Sequence, residues 1–503
     1  MRNRLLTILK PFGQEHLLTF WDVLMPQQKA HLSSQIELID FLGLADLYAT
    51  RNTPSRALEL VNKSTDPYCY KFSSVKNSFR CFAPKPISYR EAILAGNAVL
   101  AHNPENNNTQ NTPNEKKSRS KKTKSKIGVI LVAGGQGTRL GFELPKGLFP
   151  IGVITGTPLI QIHFEKILAI SLRVGYSIPL AIMTSPTTHL EILSSLEQND
   201  YFGINRNNVF IFCQGTMPTV NESDGKILLE DRDSISLNPD GHGGMLAAMT
   251  KKQMGKNLSA FDFFKKYETE YLYYNQIDNP LAQVCSPEFM GYHILSNSEF
   301  TTQVIRKKDP MEKCGNVVRV GESLYLIEYM ELPEEAARRK NFDGSLQIWA
   351  GNTAIHVFNL DFLERMSKTA DALPFHSARK KVASVNINNG TINNPVTQNA
   401  IKFERFIFDL LPHAENAIVV EVDEANHYAP LKNGSGAATH SPELVQSQMI
   451  RQHTNWLLSA GAIVMPNTVI EISPLFADSE EAVIKKIKPG TIFDSPTYLR
   501  GET

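Results

Sequence analysis

One feature constrains the fold more than any other: between residues 127 and 213, short apolar runs alternate with stretches of helical periodicity. The strand-like runs are IGVILVAG, IPLAIMTS and NVFIFCQG. The helical stretches are TPLIQIHFEKILAISLRVG, with Thr157 as its cap and Pro158 at the first helical position, and HLEILSSLEQN. Strands that alternate with helices are typical of crossover units and a mostly parallel sheet, so the sequence predicts an α/β fold.

The chain has 503 residues, which is long enough for several domains. Helical spacing and a cap at Ser88, three residues before Glu91, predict a mainly helical N-terminal region. AIVMPNTVIEISPLF and IKPGTIFD predict small strands near the C-terminus. The predicted regions are an N-terminal helical region at 1–101, a linker at 102–126, an α/β domain at 127–440 and a small C-terminal module at 441–503.

The linker 102–126 is polar throughout and ends in the basic run KKSRSKKTKSK, which predicts a disordered segment. A nucleic-acid tail is the alternative, but no nearby aromatic residues are available to stack on bases. The net charge of +1 also gives no sign of a nucleic-acid or membrane partner. The N-terminal apolar cluster is broken at Lys10 and Pro11, so we expect no signal peptide and a cytoplasmic location.

The loop LVAGGQGTRLGFELPKG directly follows the first predicted strand, at the sheet edge where α/β proteins bind ligands. Its glycines allow backbone amides to approach an anion closely. The loop matches neither GxxxxGK[ST] nor GxGxxG. Arg139 and Lys146 add two cations, which would neutralise the charge that builds up on a triphosphate and its departing pyrophosphate. The loop therefore predicts a phosphate site, whereas a plain turn would require neither cation.

This loop resembles the signature of the eukaryotic-type UDP-sugar pyrophosphorylases. Further family segments follow in the same order: FIFCQGTMPTV, NPDGHGG, YNQIDNPLAQV, IEYMEL, WAGNTAIHVF, IKFERFIFDLL and YAPLKN. The resemblance implies a Rossmann-like nucleotidyltransferase (GT-A-like) domain. It also implies an enzyme, a uridylyltransferase that joins UTP and a sugar 1-phosphate to give a UDP-sugar and pyrophosphate. The attacking phosphate is already anionic, so positioning and charge neutralisation suffice.

The resemblance implies roles for five residues of the glycine loop. Gly134, Gly135 and Thr138 would cradle the nucleotide phosphates through backbone and hydroxyl donors. Arg139 and Lys146 would hold the β and γ phosphates and stabilise the departing pyrophosphate. Lys146 is the main catalytic candidate.

Four further residues are implied to bind the nucleotide and its metal. Gln214 would bind uracil through an amide that both donates and accepts, although it could also be a polar strand end. Gly241 and His242 would lie against the base or ribose, with a structural role as the alternative for His242. Asp278 follows the strand-like TEYLYYNQI and would meet Mg²⁺, or else cap a loop.

The sugar 1-phosphate is implied to contact a third set of residues. Gly315, Glu328 and Asn352 would face the sugar, with Asn352 able to bond a hydroxyl or an acetamido group. Lys402, as a catalytic residue, and Lys432 would meet the phosphate of the sugar.

The identity of the sugar depends on finer points. QIDN and DGSLQIWAGN resemble the N-acetylhexosamine branch, whereas His242 resembles the UDP-glucose and broad-specificity branches. We expect N-acetylglucosamine 1-phosphate, with glucose 1-phosphate or broad specificity as the alternative. A dehydrogenase would need an acidic residue after IPLAIMTS, where Ser185, Pro186 and Thr187 stand instead. A non-catalytic sugar-nucleotide binding protein would not need Arg139 and Lys146.

Overall fold

A computed structural model of the protein describes residues 1–53, 56–75, 82–101, 124–253, 257–369 and 372–501. The predicted linker 102–126 lies outside the described residues, except for residues 124–126. Within these ranges the helices are α1 (Arg2–Leu9), α2 (Pro26–Glu37), α3 (Phe41–Thr50), α4 (Ala57–Lys63), α5 (Tyr89–Leu100), α6 (Leu159–Val174), α7 (His189–Gln198), α8 (Gly244–Thr250), α9 (Ala260–Lys266), α10 (Pro287–Leu295), α11 (Glu334–Ala337), α12 (Leu360–Ser367), α13 (Glu424–His427), α14 (Pro442–Ser459) and α15 (Glu480–Lys486).

The strands are named in chain order in the same way. They are β1 (Cys69–Lys71), β2 (Ile127–Val132), β3 (Leu180–Thr184), β4 (Val209–Cys213), β5 (Thr216–Pro218), β6 (Val220–Asn221), β7 (Leu229–Asp231), β8 (Ser234–Ile235), β9 (Leu237–Pro239), β10 (Tyr271–Gln276), β11 (Phe300–Arg306), β12 (Asn316–Val320), β13 (Ser323–Ile327), β14 (Ala350–Asn359), β15 (Phe375–Lys380), β16 (Ser384–Val385), β17 (Ile392–Asn393), β18 (Ala400–Arg405), β19 (Ala417–Glu421), β20 (Ile463–Val464), β21 (Ile470–Ile472), β22 (Ile492–Phe493) and β23 (Thr497–Leu499).

The described chain forms two compact units. One unit consists of Met1–Ser55, Gln214–Ala248 and Asp371–Asp409, and the other of Arg56–Cys213, Met249–Ala370 and Leu410–Thr503. We call them the small unit and the large unit. The region boundaries expected from the sequence stay a prediction.

The large unit is built on a sheet with the strand order β1-β19-β11-β14-β10-β2-β3-β4, to which the hairpin β12–β13 is added beside β14. Along this path β14 is antiparallel to both neighbours and every other pair is parallel. All of β3 is buried, and only the last residue of β2 is partly accessible, as expected for a parallel sheet covered on both faces. The predicted α/β fold with a mostly parallel sheet is confirmed.

The small unit has a core of its own, formed by α1 to α3 and several short strands. Its largest sheet has three antiparallel strands in the order β15-β18-β6, and β5 pairs with β9. Leu5, Ile36 and Val220 are fully buried in this core. In the small unit the helices therefore pack on small antiparallel sheets, whereas the large unit has a mostly parallel sheet.

Three details sharpen or correct the sequence predictions. The capping box of Ser88 and Glu91 is present at the start of α5. Helix α6 begins at Leu159, with Pro158 as its N-cap, because Pro158 has extended rather than helical backbone angles (φ −71°, ψ 153°). The expected cap at Thr157 and first helical position at Pro158 are thus wrong by one residue. The N-terminal region is mainly helical but also supplies β1, which pairs with β19 at the sheet edge.

The C-terminal residues contain the predicted small strands, as the parallel pairs β20–β22 and β21–β23. They also contain the 18-residue helix α14, which the short apolar runs did not predict. Across the described ranges, the structure contains no helix that is both long and apolar enough to cross a membrane.

Candidate active site

The glycine loop follows β2 and is closed by its own backbone. The Lys146 amide donates to the Gly135 carbonyl (3.0 Å), and the Gly137 amide donates to the Leu144 carbonyl (3.1 Å). A Cβ atom at Gly137 would lie 2.7 Å from the Phe142 carbonyl oxygen, so only glycine fits there. The loop therefore returns Lys146 to the end of β2 as a defined turn.

The outer side of this loop faces solvent. Gly135, Thr138 and Arg139 are exposed and Gly134 is partly buried. A Cβ atom at Gly135 would meet nothing closer than the Lys146 side chain, at 4.0 Å. The predicted phosphate-binding residues thus leave room for a ligand along the loop.

Lys146 and Asp278 meet at the carboxyl ends of two neighbouring parallel strands. In the register of β2 with β10, Val132 lies opposite Gln276. The Lys146 ammonium lies 3.4 Å from an Asp278 carboxylate oxygen, and the two side chains are 19% and 12% exposed. Two residues predicted separately from the sequence therefore form a partly buried ion pair at the sheet edge.

Lys432 is brought to the same place by hydrogen bonds between two loops. The Leu431 amide donates to the Asp278 carbonyl (2.8 Å). Burial lowers the pKa of Lys432, but Tyr428 and the Asp278 carboxylate more than offset this, so the pKa lies above its usual value. Lys432 is therefore a protonated cation beside Asp278.

Asn279 joins these two loops, and we did not predict it from the sequence. Its side-chain NH2 group donates to the His427 carbonyl (2.8 Å), and its Oδ1 accepts from the Ala429 amide (3.0 Å). The available signal was local: Oδ1 also accepts from the Leu281 amide (3.2 Å), the kind of bond that asparagine commonly makes to backbone two residues on in a loop.

Gly315, Glu328 and Asn352 also lie together, in the large unit. Strand β12 pairs with both β13 and β14, and Asn316 of β12 lies opposite Ile327 of β13 and Gly351 of β14. Each of the three site residues is the chain neighbour of one of these paired residues. The Asn352 amide donates to the Gly315 carbonyl (2.8 Å). The Asn352 side chain accepts from the Ala354 amide through Oδ1 (3.0 Å), so its NH2 group is the part that can donate to a ligand.

Gln214 and Gly241 lie in the small unit, around the carboxylate of Asp240. The Gln214 side chain is buried, and its NH2 group donates to Asp240 Oδ1 (3.4 Å) and to the Gly241 carbonyl (3.2 Å). Gly241 has φ +84°, and a Cβ there would lie 2.3 Å from the Arg405 carbonyl oxygen. Asp240 thus organises the second glycine loop, and its place in NPDGHGG was the signal we did not use.

His242 is held by the segment after β18. Its Nδ1 accepts from the Ile407 amide (3.2 Å), and its ring packs against Phe406 and Phe408. Burial and, less strongly, His376 lower the pKa of His242 to about 4. The ring is therefore neutral near pH 7, with its proton on Nε2.

Lys402 lies on β18 in the small unit, opposite Ala378 of β15. Burial lowers its pKa, with Glu404 opposing and Lys380 adding to the shift. The predicted site residues therefore fall into two sets: Gln214, Gly241, His242 and Lys402 belong to the small unit, and the others belong to the large unit.

Comparison with known proteins identifies the family. A family model described as UTP--glucose-1-phosphate uridylyltransferase matches residues 87–486. UDP-N-acetylglucosamine pyrophosphorylase from Saccharomyces cerevisiae is 33% identical over 377 residues, which cover 74% of this chain and 77% of the yeast protein. UDP-N-acetylglucosamine diphosphorylase 2 from Arabidopsis thaliana is 31% identical over 519 residues, covering 98% of this chain and 92% of the plant protein.

Solved structures agree with this result. The uridine diphosphate N-acetylglucosamine pyrophosphorylase from Trypanosoma brucei, in complex with an inhibitor, has a TM-score of 0.74 and 25% identity, covering 96% of this chain and 94% of that chain. The UDP-glucose pyrophosphorylase from Leishmania major, with a TM-score of 0.51 and 14% identity over 88% of this chain and 86% of that chain, shares the fold. The chain is a nucleotidyltransferase that belongs to the UTP--glucose-1-phosphate uridylyltransferase family.

Proposed function

We propose that the protein joins UTP and N-acetylglucosamine 1-phosphate to give UDP-N-acetylglucosamine and pyrophosphate. A phosphate oxygen of the sugar attacks the α-phosphorus of UTP, and the bond from that phosphorus to the oxygen bridging to the β-phosphate breaks. Pyrophosphate leaves with the electron pair of that bond. The observation that carries the proposal is the meeting of Lys146 and Asp278 at the ends of β2 and β10, beside the glycine loop.

The residues of the glycine loop bind the triphosphate in this proposal. The backbone amides of Gly134 and Gly135 and the Thr138 hydroxyl donate to phosphate oxygens. Arg139 and Lys146 bind the β and γ phosphates and stabilise the negative charge of the departing pyrophosphate. Since Lys146 is only partly exposed, its charge acts with little screening by water.

The donor set around Asp278 fits Mg²⁺. Among the residues that the structure describes, no group of three or more His, Cys, Asp or Glu side chains could hold a metal ion by itself. Mg²⁺ binds through one or two carboxylates together with phosphate oxygens and water, so Asp278 and the nucleotide would hold it jointly. The ion would supply charge neutralisation at the phosphates.

The nucleotide base and the sugar are assigned to separate groups. The NH2 group of Gln214 already donates to Asp240 and Gly241, so its Oε1 atom accepts from the N–H of uracil. The Gly241 backbone lies against the base or ribose.

Asn352 donates to the acetamido group of the sugar, with Gly315 and Glu328 beside it. Lys432, in the large unit, binds the phosphate of the sugar, and the role expected of Lys402 stays a prediction from the sequence. The names of the yeast and plant relatives support N-acetylglucosamine as the sugar.

The alternative substrate is glucose 1-phosphate, which the histidine at position 242 favours. The engagement of His242 with Ile407 and two phenylalanine rings supports a structural role for that histidine, and so weakens the alternative. The cytoplasmic location expected from the sequence stays a prediction.

A pyrophosphate-release assay tests the proposal. The purified full chain is supplied with UTP, Mg²⁺ and either N-acetylglucosamine, N-acetylgalactosamine or glucose 1-phosphate. We expect the highest kcat/KM with N-acetylglucosamine 1-phosphate and none without a divalent cation. Higher kcat/KM with glucose 1-phosphate would overturn the substrate assignment, and turnover in excess EDTA would overturn the magnesium assignment.

A further inference from the structure

Side chains on one face of α6 form hydrogen bonds with the loop that carries Asp278. His163 and Lys166 stand three residues apart, so their side chains lie on the same face of the helix. His163 is fully buried and Lys166 is partly buried. The rest of that face is apolar, with Ile160 and Ile167 in the core. Two polar side chains on an apolar helix face require a specific partner.

The partners are backbone carbonyls on both sides of Asp278. His163 lies 3.1 Å from the Ile277 carbonyl through Nε2 and accepts from the Asn275 side chain through Nδ1 (3.3 Å). Burial lowers the pKa of His163 to about 3, so the ring is neutral. With Nδ1 accepting, the proton is on Nε2 and is donated to Ile277.

Lys166 holds the other side of the loop. Its ammonium donates to the Pro280 carbonyl (2.5 Å) and to the Ala282 carbonyl (2.9 Å). We call His163 and Lys166 the α6 clamp. The clamp fixes the backbone before and after Asp278, while the Asp278 carbonyl itself accepts from the Leu431 amide.

A buried ammonium is costly to desolvate, as the lowered pKa of Lys166, at about 7, indicates. Here the cost is offset by two hydrogen bonds to carbonyls of the loop that carries Asp278. Asp278 lies between two of the residues that the clamp holds, Ile277 and Pro280, and its carboxylate lies 3.4 Å from the Lys146 ammonium.

We propose that His163 and Lys166 are positioning residues for uridylyl transfer, which act by holding the loop so that the Asp278 carboxylate stays at the phosphate site. This inference rests on the role of Asp278 in the proposed function. Neither clamp residue touches the substrates in this scheme. The effect of losing the clamp must therefore depend on the presence of the Asp278 carboxylate.

A double-mutant cycle tests that dependence in the full-length protein. Lys166→Met keeps the length of the side chain but removes its donors, and we expect kcat to fall roughly 10- to 100-fold, as for a displaced catalytic group. In the Asp278→Asn background the same change should cost less than about twofold, because the two changes act on one unit. Lys166→Arg, which restores donors, should recover most of the turnover.

A second measurement does not use activity. Hydrogen–deuterium exchange of the free protein should speed up in Lys166→Met for peptides covering 276–284 and 428–432, and remain unchanged for a peptide covering 127–132. Ile170→Val is the matched control, since it removes one buried methyl group from the same helix. It should lower the melting temperature slightly and leave turnover and exchange in these peptides unchanged.

Several results would overturn the inference. Normal kcat in Lys166→Met, equal losses in both backgrounds, or failure of Lys166→Arg to recover turnover would each remove the positioning role. If exchange in 276–284 is unchanged, the clamp does not hold the loop. Near-normal turnover of Asp278→Asn alone is a different outcome, which refutes the proposed role of Asp278 and the clamp with it.

Discussion

The two glycine loops of this protein look alike in sequence but use glycine differently. In GGQGTRLG, a Cβ at Gly135 would meet only the Lys146 side chain, at 4.0 Å, and one at Gly141 would meet nothing within 4 Å. In DGHGG, a Cβ at Gly241 or Gly244 would lie 2.3 Å or 2.0 Å from the nearest heavy atom. The first loop, which we call the open loop, uses glycine mainly to leave space outside the chain. The second, which we call the packed loop, uses glycine to let the chain pack on itself.

The role of a glycine depends on what surrounds it rather than on how many glycines a segment contains. Even in the open loop, Gly137 is packed against backbone, and this contact shapes the turn. In the second loop the packed glycines surround the carboxylate of Asp240, which also receives the Gln214 side chain. Changes in the first loop should therefore affect turnover, and changes in the second should affect folding stability.

The largest expected effect concerns turnover in the open loop. Lys146→Met removes the cation beside Asp278 and should lower kcat by about 10²- to 10³-fold, the usual cost of losing one electrostatic contact to a developing charge. Because Lys432 remains beside the Asp278 carboxylate, the free energy of unfolding should change by no more than about 1 kcal/mol. Steady-state kinetics and chemical denaturation measure the two quantities. Lys368→Met, at an exposed lysine, is the control and should change neither. Equal turnover in the two variants would contradict the role of Lys146.

The second effect concerns stability in the packed loop. Gly241→Ala should lower the free energy of unfolding by about 3 kcal/mol or more, since it adds a backbone clash to the cost of a positive φ. Gly141→Ala has a similar φ of +68° but open space, and should cost only about 1–2 kcal/mol. Urea denaturation followed by circular dichroism compares them. If both variants lose the same stability, packing does not distinguish the two loops.

The smallest effect concerns pH and the histidine of the packed loop. The pKa of His242 is about 4 in the folded protein, below its ordinary 6.5. The unfolded chain therefore binds more protons between these values, and stability rises as the pH increases from about 4 to 6.5. Since the ring is partly accessible, we expect its contribution to be on the order of 1 kcal/mol.

His242→Asn isolates this contribution. The loss of stability between pH 7.5 and pH 5 should be smaller in the variant than in the parent protein, because the other buried histidines act equally in both. Melting temperatures at the two pH values provide the comparison. An identical pH dependence in both proteins would show that the pKa of His242 is not lowered in the folded protein.

The sequence predicted the central strands because their signal is local. Strands β2 to β4 and helices α6 and α7 each carry their own periodicity. Lys146 and Asp278 were predicted separately, and the structure brings them together because β2 and β10 are neighbours in the sheet. Strand β1 escaped prediction because it has only three residues, and its pairing partner, β19, is distant in the chain. Helix α14 was also missed, because we interpreted the C-terminal residues from their short apolar runs, which predict strands.

The contacts that support the site could not be predicted in the same way. His163 and Lys166 lie within a helix whose apolar spacing is complete without them, so nothing local marks them as partners of backbone carbonyls. Asn279 likewise donates to the His427 carbonyl, 148 residues further along the chain. Such contacts form only when distant segments pack together. The residue pattern within one segment therefore cannot predict them.

The hydrogen bond from Leu431 to the carbonyl of Asp278 has a consequence for biosynthesis. The ribosome completes the glycine loop early, but Lys432 and its neighbours emerge only after most of the chain has been made. Until then β1 and β11 also lack β19, which lies between them in the sheet. Contacts between such distant segments form late in folding. A nascent chain that ends before residue 417 would thus carry the phosphate loop without a finished site.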